Sequence, residues 1–132
     1  MPGELAGDTV TVSDQKEAGQ LYNKGNYGYP VKGGGLDLDL TEALYLMESE
    51  RLEILRNGKD VSFDELFIEA SRTVDGFDVK YQVYRDLRSR GFVVKNETGA
   101  FDMAVYPRGK IISNSRPQFM VRAVSERMEL DI

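Results

Sequence analysis

The run Lys80-Tyr81-Gln82-Val83-Tyr84-Arg85-Asp86-Leu87-Arg88-Ser89-Arg90-Gly91-Phe92-Val93-Val94-Lys95 constrains the fold more than any other stretch. Tyr81, Tyr84 and Leu87 recur every three residues, with Val83 supporting the same face from its flank, so the spacing predicts an amphipathic helix. Asp78 stands where it could cap that helix. Gly91 closes it, and Phe92 to Lys95 follows at once as a buried strand. A second constraint is an absence: none of the 132 residues is histidine.

The rest of the chain supplies further helices early and strands late. Gly3 to Val12 reads as a hairpin turning at Gly7-Asp8. A short helix is expected from Ser13 or Asp14 to a point before Gly25, since Asp14 and Glu17 make a capping-box pattern. Tyr27 to Pro30 and Gly33-Gly34-Gly35 read as loop. Leu36 to Leu40 alternates as a short strand, after which Thr41 can cap a helix through Met47. Leu52 to Leu55 reads as a strand and Asn57-Gly58 as a turn. Ser62-Phe63-Asp64-Glu65 opens a helix expected to bury Phe63, Leu66, Phe67 and Ala70. Gly76 breaks or kinks it. Beyond Gly91, strands are expected at 92–95, 100–106 and 118–124, with Phe92, Val94, Met103, Val105, Phe119 and Val121 buried.

These elements predict an α/β (α+β) fold in two lobes: residues 1–75 as a small α/β lobe, and 76–132 as a lobe with a mainly antiparallel sheet. Bulk properties narrow the function. Charged residues make up 30% and hydrophobic ones 41%, an ordinary globular balance. No apolar run approaches a membrane span, and the N-terminus lacks the pattern of a secretory signal. The chain has no cysteine, which excludes disulfides and thiolate metal sites and fits a cytoplasmic location. A net charge of −5 counts against a self-sufficient RNA binder, because nucleic-acid affinity comes largely from Lys and Arg on phosphates.

Several segments, in order and spacing, resemble the archaeal tRNA-splicing endonuclease family. Asn26-Tyr27-Gly28, Leu36-Asp37-Leu38 and Glu42-Ala43-Leu44-Tyr45-Leu46 are similar to its N-terminal lobe. Val61 to Leu66 is similar to its next helix start, and Tyr81 to Lys95 to the opening of its nuclease lobe. The resemblance implies an enzyme of four units that cuts precursor tRNA at a bulge-helix-bulge element. It uses a Tyr-His-Lys triad and no cofactor or metal, leaving a 2′,3′-cyclic phosphate. Tyr106 falls at the position of the family's general base, although the Phe-Gly pair that precedes that tyrosine in the family is missing here. Where the family has its histidine this chain has Arg116, and the family's lysine lies on a later helix, about where the chain reaches Ile132. By that likeness the second lobe is partial, without its final helix and strands.

Cleavage by a neighbouring 2′-hydroxyl needs a base on that hydroxyl and an acid on the departing 5′-oxygen. Each typically contributes about a hundred- to ten-thousand-fold. A guanidinium, with a pKa above about 12, is no useful acid near neutrality. Arg116 could still grip a phosphate through its planar fork, and Arg108 and Lys110 are further candidates for RNA contact. The resemblance therefore implies a structural, pseudo-catalytic unit that supports a histidine-bearing catalytic partner. Self-association is the other expected partnership, and precursor tRNA is engaged through the complex. The alternative is a protein-interaction module on a nuclease-derived scaffold with no part in cleavage, which acidic charge favours. A third reading is an unconventional RNase using Tyr106, Lys110 and Arg116.

Simpler roles stand beside these. Tyr81 and Tyr84 could stack on bases, but at helical spacing they read first as core aromatics. Arg85, Arg88 and Arg90 read as a solvated helix face paired with Asp86. Asp78-Val79-Lys80 matches the D-x-K element of metal-dependent nucleases, yet those side chains need a strand to project together. Gly33-Gly34-Gly35 lacks the setting of a phosphate loop.

Overall fold

In the computed structural model, which describes residues 2–96, 102–106 and 119–122, the first hairpin forms as expected. Gly3–Ala6 (β1) and Thr9–Val12 (β2) pair antiparallel, with Leu5 opposite Val10. Gly7 takes a φ of 62° at the turn. Gln15–Gly25 (α1) follows, capped by Asp14, whose carboxylate accepts the Glu17 amide at 3.0 Å. The helix runs through Gly25 and ends on Asn26 in the left-handed region.

Two elements differ from expectation. The supposed loop contains a short strand, Tyr29–Pro30 (β3), paired with Leu36–Leu38 (β4). Pro30 is tolerated there because β3 is an edge, where a missing N–H costs no ladder bond. Leu40–Glu48 (α2) is capped by Asp39, not Thr41. Asp39 accepts the Glu42 amide at 2.9 Å, and Glu42 accepts the Asp39 amide at 3.2 Å. That reciprocal box satisfies two backbone donors, so Leu40 joins the helix, and Thr41 donates to Asp39 at 2.8 Å.

Ile54–Arg56 (β5) and Lys59–Val61 (β6) form a hairpin on Asn57 and Gly58, both at positive φ as a two-residue turn of this kind requires. The strand therefore begins at Ile54, later than Leu52. Phe63–Thr73 (α3) opens on Ser62, whose hydroxyl accepts the Glu65 amide at 3.1 Å. It buries Leu66 and Ala70, while Phe63 and Phe67 are half-buried and stack on one another.

The six strands lie in the order β3-β4-β2-β1-β5-β6, antiparallel except for β1 beside β5. Leu5, Val10, Val12, Leu36, Leu38, Ile54 and Val61 are buried on one side of this sheet, where α1 and α2 pack. Removing each such side chain from water stabilises by about 1.5–3 kcal/mol. The other side is polar.

The chain divides into two units, Met1–Thr73 and Val74–Ile132. In the second, Phe77–Ser89 (α4) starts after Gly76, which sits at φ 70° and makes no side-chain cap bond. Asp78 lies within the first turn, where its charge suits the helix N-terminus, and does not cap. Val93–Asn96 (β7), Met103–Tyr106 (β8) and Phe119–Val121 (β9) form an antiparallel sheet in that order. The α+β class and the antiparallel second sheet are as expected.

Burial in this sheet differs from simple alternation. Met103, Ala104 and Val105 are all fully buried, so β8 is covered on both faces. Val94 is buried as expected, whereas Phe92 and Val121 are only half-buried. The side chain of Phe119 lies outside the described residues.

Candidate functional site

Tyr106 ends β8, half-buried and opposite Val93 on β7. Ala104 and Val105 immediately before it are fully enclosed. Tyr106 is thus the last residue of a core strand. Arg108, Lys110 and Arg116, the other sequence-derived candidates, lie outside the described residues.

The corner from α4 to β7 carries the polar chemistry that the sequence did not reveal. Arg88 is 8% exposed. Its Nε donates to the Tyr84 hydroxyl at 3.2 Å and its Nη2 to the Val94 carbonyl at 3.3 Å. The expected basic cluster is therefore divided. Arg88 is an internal tie between helix and strand, while Arg85 and Arg90 stay exposed and Arg90 pairs with Asp86 at 3.3 Å. A signal existed: Arg88 stands four residues after Tyr84, on the helix stripe that also holds Tyr81. Its charge hid it.

Tyr84 is fully buried and Tyr81 nearly so, with Tyr81 stacked on Phe77. They serve the core and cannot present rings to a base. Asp78-Val79-Lys80 lies on α4, which removes the strand geometry a metal-dependent nuclease needs. Lys80 instead pairs with Asp102 at 3.3 Å. Among the described residues no group of three or more acidic, histidine or cysteine side chains could hold a metal ion. Among them, too, no helix is long and apolar enough to cross a membrane.

In the first unit, Arg56 and Glu69 form an exposed ion pair. The hydrogen bond to Glu69 holds the Arg56 pKa up, and the same bond holds the Glu69 carboxyl below its ordinary value. More deeply, Glu42 is fully buried and accepts the Gly28 amide at 2.7 Å in addition to the Asp39 amide. Arg51 lies over the rings of Tyr27 and Tyr45 and donates to the Tyr27 hydroxyl at 3.1 Å. These contacts fix loops rather than form a catalytic group.

Residues 1–67 match the model of the tRNA intron endonuclease N-terminal domain, and residues 77–132 that of the tRNA intron endonuclease catalytic C-terminal domain. A protein of Methanococcoides burtonii called tRNA-splicing endonuclease is 39% identical over 132 residues, all of this chain and 36% of its own length. One of the same name from Thermococcus onnurineus is 39% identical over 126 residues, covering 95% of this chain and 71% of its own. Another from Pyrococcus abyssi is 42% identical over 92 residues, or 70% of this chain and 54% of its own. The chain thus spans from about a third to somewhat over two thirds of the lengths of these relatives.

Proposed function

This chain belongs to the tRNA intron endonuclease family, and from that premise we propose that it is a structural, pseudo-catalytic unit which supports a catalytic partner cutting precursor tRNA at bulge-helix-bulge introns. One observation carries the proposal: the sequence contains no histidine. Attack by the 2′-hydroxyl needs its proton removed while the 5′-oxygen gains one as it leaves. Tyr106, the last residue of β8, has the chemistry for the first step. The second step lacks the family's histidine, because Arg116 stands where that acid is expected and a guanidinium holds its proton too firmly.

The division of labour follows from this chemistry. A unit with an intact core strand and no acid retains the shape of a nuclease lobe while leaving the reaction to its neighbour. Recognition of a bulged helix reads shape and unpaired bases, which more than one unit can share. Arg108, Lys110 and Arg116 are the residues proposed to touch RNA from this chain, as part of the complex.

The test uses a bulge-helix-bulge RNA with the purified chain alone, and then with a histidine-bearing family member. The expected result is no cutting alone and cutting with the partner. Cutting by the chain alone that is lost in Tyr106→Phe would instead establish an unconventional RNase. The net charge of −5 favours a second reading, a protein-interaction module outside cleavage. Stable complexes with unrelated proteins, with no effect on RNA cutting by the partner, would establish that one.

A further inference from the structure

One row of residues crosses all six strands of the first sheet on its polar side. In register it reads Tyr29, Asp37, Thr11, Glu4, Leu55 and Asp60. Glu4 and Asp60 are exposed, Tyr29 is 47% exposed, and the other three are half-buried. Thr11 donates to Asp37 at 2.7 Å, which ties that carboxylate to its neighbour in the row. No lysine or arginine occupies a paired position on this side, because Arg56 and Lys59 alternate onto the other face with Ile54 and Val61.

Spacing makes the row more than a patch of charge. Neighbouring strands lie about 4.8 Å apart, so Asp37, Glu4 and Asp60, each two strands from the next, repeat about every 10 Å. Two turns of an α-helix, seven residues, advance about 10.5 Å. Between the carboxylates stand Thr11 and Leu55, short or apolar side chains that leave room for a helix surface. The sheet twists by roughly 20–25° per strand, and the flexible stems of lysines accommodate that rotation.

We propose that this face docks a basic helix of another protein, one bearing Lys or Arg at every seventh position, laid across the strands. Charge complementarity selects the occupant. A phosphate backbone is repelled by the three carboxylates, and a second copy of the chain cannot apply the same acidic face to this one. Tyr29 at the end of the row gives the helix an aromatic anchor of the kind that dominates protein interfaces. The inference rests on sheet register and charge, and is independent of any role in RNA cleavage.

The probe is an alanine-rich helical peptide with lysine at every seventh residue over three repeats. Its control has the same composition with the lysines bunched in one turn. Binding to the full chain is followed by amide NMR shifts at physiological salt. The spaced peptide is expected to bind at least about ten-fold more tightly, with shifts centred on β4, β2, β1, β5 and β6. Glu4→Lys and Asp60→Lys, exposed and on different strands, should each remove that advantage while leaving the rest of the spectrum intact. Equal binding of the two peptides overturns the proposal, as does a shift pattern centred elsewhere. Protection of this face by a homopolymer RNA overturns it as well.

Discussion

Arg88 shows how one side chain can be misread from sequence and then govern a corner of the fold. In a run with Arg85 and Arg90 it reads as surface charge, but it is buried with donors on Tyr84 and the Val94 carbonyl. Removing a buried charged donor leaves acceptors stranded, at a cost of about 1–3 kcal/mol. Arg88→Met should therefore lower stability by about that much, read from the urea midpoint. Arg88→Lys should recover little, because one ammonium cannot reproduce the planar fork. A variant at position 88 as stable as the parent would show that the tie is dispensable. Tyr106, by contrast, was legible from the resemblance and stands at a strand end as expected, whereas the burial of Arg88 had no cue beyond its spacing from Tyr84.

The Arg56–Glu69 pair gives a pH prediction of definite sign. Glu69 is held below its ordinary carboxylate value of 4.5 by Arg56. Its contribution is therefore fully present above that value and fades as pH falls through and below it. Arg56, with its pKa raised, stays charged throughout. The pair is exposed and screened by salt, so the effect is small. Glu69→Gln should leave stability at neutral pH almost unchanged and slightly flatten its decline in acid. A steeper decline in the variant would reverse the assigned sign.

At the scale of elements, the legible features were those in which local chemistry points one way. Ser62 and Asp14 cap where a hydroxyl or carboxylate meets an acidic residue three positions on. Asn57-Gly58 turns because both residues accept positive φ. The errors came where two local signals competed. Asp39 and Thr41 both suit a cap, and the reciprocal bonds with Glu42 decide for Asp39. Pro30 and the glycines around it suggested loop, while pairing with Leu36 makes β3 a strand.

Two glycines separate backbone strain from crowding. At Gly28, φ is +75°, and an added Cβ would meet the Asp37 carbonyl and the Leu36 side chain, each at 2.7 Å. At Gly58, φ is +78° but nothing lies within 4 Å. Gly58→Ala should cost about 1–2 kcal/mol, the left-handed penalty alone. Gly28→Ala should cost more, by roughly another 1–3 kcal/mol for overpacking, and should weaken the amide bond to Glu42. Comparable midpoints for the two variants in urea would mean that the β3–β4 corner yields to the extra methyl.

For the whole molecule, the sequence showed helices early and antiparallel strands late, and the chain divides between Thr73 and Val74. Strand pairing explains why a boundary can fall there. Each described strand pairs only within its own unit. The first unit also holds its own apolar centre: Val10, Val12, Leu44 and Leu46 are fully buried and Leu36, Leu38, Ile54 and Leu66 nearly so. A domain of this size is marginal but can fold without disulfides or metals. Residues 1–73 expressed alone should therefore give dispersed amide signals and a single cooperative urea transition, with Gly28→Ala lowering its midpoint as in the full chain. A broad, non-cooperative transition with collapsed dispersion would show that this core depends on the rest of the chain.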